Sequence, residues 1–244
     1  MKKFTNLAAE LNSGNPAELA STVNLTPRKL KRSRGKGFTL AEILITLTVI
    51  GVVAALTIPT LLQNTNLAEL KTAWKKSYAD MSQAVMQMVN DNGGDLSNAY
   101  ADSNAFKNAL TGKLSYIKTC NTYESGCWHS DNNWYGLSGA PRSLGFSMTG
   151  IITSDGKLIA MTYDTPACTG LWGYCGYVNV DVNGFKKPNT VGKDIFGLKV
   201  YKDKILPTGT QGDYHYNHPD LYSCDIKTYP GTAGANCSAE YLYQ

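Results

Sequence analysis

From Ile43 to Ala68 the chain carries no Asp, Glu, Lys or Arg, a run of 26 residues. Ile43, Leu44, Leu47, Ile50, Val53 and Leu56 fall on several faces of a helix rather than on one stripe. Roughly 20 such residues cover the ~30 Å hydrocarbon core of a bilayer. A helix buried in a soluble core is usually shorter and amphipathic. The run therefore reads as a membrane helix, and this constrains everything on either side of it.

The charge distribution gives the helix a direction. The 244 residues have a formal charge of +4, which on its own would suggest a nucleic-acid partner. Residues 1–37, however, hold eight Lys and Arg against Glu10 and Glu18, and six of the eight lie between Arg28 and Lys36. The other 207 residues carry 15 basic and 17 acidic side chains. The positive excess thus sits directly before the apolar run, where the positive-inside rule keeps it cytoplasmic and sends the C-terminal bulk outward. Neither aromatic interleaving nor a nucleic-acid reading motif accompanies it, so no nucleic-acid partner is expected. A cleaved secretory signal also fits poorly: the preceding segment is long, the apolar run exceeds an ordinary h-region, and no small-x-small site follows.

The junction reads Lys36-Gly37-Phe38-Thr39-Leu40-Ala41-Glu42-Ile43. An acid at the entrance to a membrane segment calls for a partner. Lys36-Gly37-Phe38-Thr39-Leu40 with Glu42, followed by the long apolar helix, resembles the type IV pilins and the type II secretion pseudopilins. The resemblance covers residues 34–65. It implies that prepilin peptidase cuts between Gly37 and Phe38 and methylates the new amine of Phe38. It also implies that Glu42 pairs with that amine on an adjacent subunit. Gly51 and Pro59 match a glycine and a proline of the family helix and should loosen it. The chain then divides into a basic leader (1–37), a transmembrane or filament-core helix (38–62), an amphipathic continuation (63–92) and an outer globular domain (93–244).

Leu67, Leu70, Trp74, Met81, Val85 and Met88 recur at steps of three, four or seven, so the helix should continue with one apolar face. Asn92-Gly93-Gly94 ends it. A short helix is expected over Asn98–Thr111. Strands are expected at Phe146–Thr153 and Lys157–Tyr163, around the Asp155-Gly156 turn, and at Tyr177–Val182, Ile195–Tyr201 and Ile205–Leu206. The expected class is α+β and pilin-like: a long N-terminal helix packed on an antiparallel sheet with disulfide-stapled loops.

Six cysteines, Cys120, Cys127, Cys168, Cys175, Cys224 and Cys237, all follow the membrane segment. No pair has Cys-x-x-Cys spacing, and an even number on an oxidising side suggests disulfides, with 15 possible pairings. Spacing suggests Cys120–Cys127, Cys168–Cys175 and Cys224–Cys237, the first two closing similar loops around Trp128 and Trp172. The third resembles the C-terminal disulfide loop of many pilins. Asp181, Asn183, Asn189 and Asp194 share a loop rich in oxygen ligands. That loop resembles one in which related major pseudopilins bind calcium. Three lysines inside it oppose a cation, and an ordinary Asn-Gly turn with Asx bonds is the stronger reading.

No catalytic constellation emerges. Gly145–Gly150 is one residue too long for a nucleophile elbow. His215 and His218 lack zincin spacing and read as loop histidines. The expected role is a structural filament subunit of the bacterial inner membrane, seated in lipid before assembly. Its partners would be prepilin peptidase, an inner-membrane assembly platform and further copies in a periplasmic or extracellular pilus or pseudopilus. A DNA-uptake pilin or a bitopic protein with an unrelated outer domain are the alternatives.

Overall fold

The computed structural model describes residues 37–143, 148–169 and 173–243, and of residues 59–65 the backbone alone. The leader before Gly37, the start of the strand expected from Phe146, and Trp172 fall outside the described residues. The chain divides into two compact units, Met1–Gly51 and Val52–Gln244.

Helix α1 runs over Leu40–Asp91, 52 residues, and is helical through both Gly51 and Pro59. Its part in the first unit exposes large apolar side chains throughout, among them Leu44, Ile45, Leu47 and Ile50. In the second unit Trp74, Met81, Val85 and Met88 of the periodic stripe are buried, together with Ala84 and Val89, while Leu70 is partly buried and Leu67 exposed. The helix stops where Gly93 and Gly94 take positive φ (72° and 98°), a conformation open to residues without a Cβ. Helix α2, Ser103–Thr111, is shorter than expected. Asp102 caps it, accepting the Ala105 N–H at 2.8 Å, so the chain before Asp102 is loop.

Six strands form one antiparallel sheet in the order β1-β2-β3-β4-β5-β6. They are β1 Tyr116–Cys120, β2 Thr149–Thr153, β3 Leu158–Thr162, β4 Tyr174–Asp181, β5 Ile195–Tyr201 and β6 Ile205–Pro207. Strand β1 was not expected. Tyr116, Ile117 and Lys118 are exposed on this edge strand, so it lacks the half-buried alternation that marks a strand. Side chains alternate across the sheet. On the front face Ile151, Ile159, Met161, Val178, Val180, Phe196, Leu198 and Val200 join the α1 stripe in one apolar core. Trp74 stacks on Phe196 with ring centres 4.7 Å apart.

The back face is also covered, and its chemistry differs. Tyr177, Asn179 and Asp181 on β4 and Lys199 on β5 alternate with the core residues and carry polar groups. A Cβ at Gly197, between them, would strike the Tyr177 hydroxyl and the Thr208 side chain. The cover comes from loops, and the domain carries three disulfides, Cys120–Cys127, Cys168–Cys175 and Cys224–Cys237, of which Cys168–Cys175 belongs to the apolar core. These are the pairs suggested by spacing. The C-terminal region contains two helices where the sequence pattern reads as irregular, α3 (Pro219–Tyr222) and α4 (Cys237–Tyr243). Helix α4 meets α1 where the Trp74 indole N–H donates to the Ser238 carbonyl at 2.9 Å.

The architecture is thus an N-terminal apolar helix followed by an antiparallel six-stranded sheet with three disulfides, an α+β, pilin-like layout.

Candidate functional site

The N-terminal boundary segment is built around the start of α1. Gly37 lies in open space, and a Cβ there would meet nothing within 4 Å. Phe38 is 83% exposed. Thr39 and Glu42 then bond reciprocally: the Thr39 N–H donates to Glu42 Oε2 at 2.8 Å, and the Glu42 N–H donates to Thr39 Oγ1 at 3.2 Å. This is a capping box, which satisfies two donors that a helix start otherwise leaves open. The Thr39-x-x-Glu42 spacing signals it, but the sequence reading looked for the partner of Glu42 only on another subunit.

Leu40–Ile58, 19 residues, is long and apolar enough to cross a membrane. Its threonines do not interrupt that character. The hydroxyls of Thr46, Thr48 and Thr57 donate to the carbonyls of Ile43, Leu44 and Val53 at 2.8–2.9 Å. Each polar group is therefore consumed within the helix, as a hydrocarbon environment demands. Gly51 is open in the same way as Gly37, since a Cβ added to it would meet nothing within 4 Å. The Pro59 side chain lies outside the described residues.

The second candidate is the loop between β4 and β5. Asp181 and Asp194 are fully buried. All four of their carboxylate oxygens already accept protein donors. Asp181 Oδ2 lies 2.8 Å from His129 Nε2, and Oδ1 accepts the Asn183 N–H at 3.1 Å. Asp194 Oδ2 and Oδ1 accept the N–H groups of Asn189 and Thr190 at 2.7 and 2.6 Å. The amide oxygens of Asn183 and Asn189 are buried without a hydrogen-bond partner. Burial pushes the Asp181 carboxyl up to about 6, helped by the charge of Asp194 and opposed by His129. Burial likewise raises Asp194, against the N–H groups of Thr190 and Asn189. Among the described residues no group of three or more His, Cys, Asp and Glu is disposed to hold a metal. The four residues do share one loop, and its two carboxylates are engaged by protein donors.

Two buried side-chain pairs on the back face escaped the sequence reading. One is His129–Asp181. The other joins Lys199 and Asp213, both about 2–3% exposed at the side chain. Burial raises Asp213, but His215, the Gly209 N–H and Lys199 outweigh it and hold the carboxyl well below its ordinary range. Neither pair leaves a sequence signal, because each partner comes from a different segment. His215 and His218 sit in a ring cluster with Tyr214 and Tyr222, in keeping with loop residues.

Against known proteins, the family model of the prokaryotic N-terminal methylation motif matches residues 32–58. No curated protein and no solved structure matches the chain. The match begins in the basic block, includes the Gly37–Phe38 junction and the capping box, and ends with the exposed apolar segment of α1. Residues 32–58 therefore carry the signature of the type IV pilins and pseudopilins.

Proposed function

We propose that the chain is a structural subunit of a type IV pilus or type II secretion pseudopilus, polymerised through its N-terminal helix. The observation that carries this reading is the apolar segment Leu40–Ile58, none of it buried among the described residues, lying inside a methylation motif. Proteins with this motif are structural rather than enzymatic. Such a segment needs a cover that the described residues do not supply, first lipid and then other subunits.

In this reading prepilin peptidase cuts between Gly37 and Phe38 and methylates Phe38. The exposed, Cβ-free Gly37 suits close approach of a protease to the backbone. Residues 1–37 are then a cytoplasmic leader, 38–62 the core helix, 63–92 its amphipathic continuation, and 93–244 the domain outside the inner membrane. The Phe38 amine of a neighbouring subunit joins the Thr39 N–H as a partner of Glu42. Gly51 and Pro59 set how the helix packs in the filament.

Two measurements test this. Mass spectrometry of the membrane-bound protein should find N-methylated Phe38 as its first residue, whereas an unmodified Met1 would overturn the proposal. Glu42→Ala should still insert and be processed but fail to enter filaments. Normal assembly by that variant would remove the pairing role.

A further inference from the structure

The Lys199–Asp213 pair has a chemical setting that the His129–Asp181 pair lacks. An ammonium carries three donors. Among the described residues, Lys199 Nζ has Asp213 Oδ1 as its hydrogen-bond partner, and its other near neighbour is the face of Tyr174, 4.6 Å from the ring centre. The Gly209 N–H donates to Asp213 Oδ2 at 2.8 Å. His215 Nδ1 lies 3.6 Å from Asp213 Oδ1 and is buried without a hydrogen-bond partner. An amine, a carboxyl group, a fixed N–H donor and an imidazole thus converge, with both reacting side chains closed off from water. Proximity of this kind removes the entropy cost of bringing amine and acid together, and an amine aligned on an acyl carbon reaches effective concentrations on the order of 10^5 M or more.

We propose that Lys199 and Asp213 condense into an intramolecular amide between Nζ and Cγ. The reaction proceeds from the minor tautomer of the pair, in which the ammonium has passed a proton along the existing contact to Oδ1, against the neighbours that hold Asp213 ionised, leaving a neutral amine and a neutral acid. The Nζ lone pair then adds to Cγ, and the electron pair displaced onto Oδ2 is held by the Gly209 N–H. His215 takes the second proton from Nζ and returns it to the Oδ1 hydroxyl. The Cγ–Oδ1 bond breaks, one water leaves, and the carbonyl re-forms at Oδ2. No oxidant, metal or cofactor enters the balance. Two buried charges, costly to keep in a low-dielectric interior, become one neutral amide. The bond ties the 209–222 loop to β5 on the back face of the sheet, a fourth staple beside the three disulfides.

The test is a tryptic map of the full-length protein after reduction and denaturation. An acylated Lys199 resists trypsin, so residues 194–202 should appear joined to residues 205–227, lighter than the two peptides together by one water. Lys199→Arg should abolish the branched peptide. Asp213→Asn should give a branched peptide of unchanged mass, because ammonia leaves in place of water. Free peptides 194–199 and 205–227 from the folded wild-type protein would overturn the proposal. The wild-type map decides this whether or not the variants fold.

Discussion

The two faces of the sheet are stabilised in opposite ways. In front, Val178, Val180, Phe196, Leu198 and Val200 meet the Trp74–Val89 stripe of α1 in a continuous apolar core. Behind, one residue out of phase on the same strands, Asp181 and Lys199 are buried beside His129 and Asp213. The front face gains from non-directional burial of apolar area, and any well-shaped side chain contributes. The back face buries titratable groups, and for such groups when ionised desolvation consumes most of what pairing returns. Such pairs add little net stability, and each joins a loop residue to a strand, His129 to β4 and Asp213 to β5. The comparison separates what makes this sheet stable from what makes its cover specific.

Substitutions should break the comparison in that order. Trp74→Ala removes the stacked partner of Phe196 and a bond to Ser238, and should cost about 3–5 kcal/mol in chemical unfolding of the globular region. Asp181→Leu leaves the buried His129 Nε2 without its carboxylate partner, a single unmet polar contact, so the loss should be smaller, about 1–3 kcal/mol. The double variant His129→Leu with Asp181→Leu should recover most of that loss, since replacing both partners of a buried pair is close to neutral. If the double variant is as unstable as the single one, the pair contributes more than placement. Calcium should leave the melting temperature of the wild-type protein unchanged, because the Asp181 and Asp194 carboxylates already serve protein donors. A calcium-dependent rise would mean that the loop exchanges those donors for the cation.

The smallest effect belongs to the turn between β2 and β3. Asp155 is raised by partial burial, but the Thr153 hydroxyl, Lys157 and Lys76 of α1 outweigh this and hold it at about 2, below the ordinary 3.8. A depressed carboxyl stabilises the fold above its unfolded pKa, and that contribution fades as pH falls through the folded value. Acid unfolding followed between about pH 4 and 2 should therefore be less steep in Asp155→Asn than in wild type. Equal slopes would show that this half-exposed network carries no net stability, as is common for solvent-screened pairs.

What could be read from the sequence follows the same division. The front face was legible because apolar residues repeat at the period of their element, in α1 and again in Ile195–Tyr201. The three cysteine pairings were legible because each closes a short local loop, of 7 or 13 residues in separation. Strand β1 was not, since Tyr-Ile-Lys-Thr-Cys buries little and owes its conformation to pairing with β2. The buried charge pairs were not legible either. His129 and Asp181 lie 52 positions apart, and no local pattern links residues that meet only after the loops close. Within the boundary motif the exception is Thr39–Glu42, a four-residue signature plainly present but overshadowed by the intersubunit role expected of its acid.

That capping box has a consequence for maturation. Both of its members lie on the C-terminal side of the Gly37–Phe38 bond, so a cut there leaves the first turn of α1 with its own hydrogen bonds intact. Proteolysis at this point would alter which charges stand at the membrane surface without requiring the helix to re-form. Precursor and mature chain would share one conformation from Thr39 onward, and removal of the leader would act as a licence to assemble rather than a refolding event.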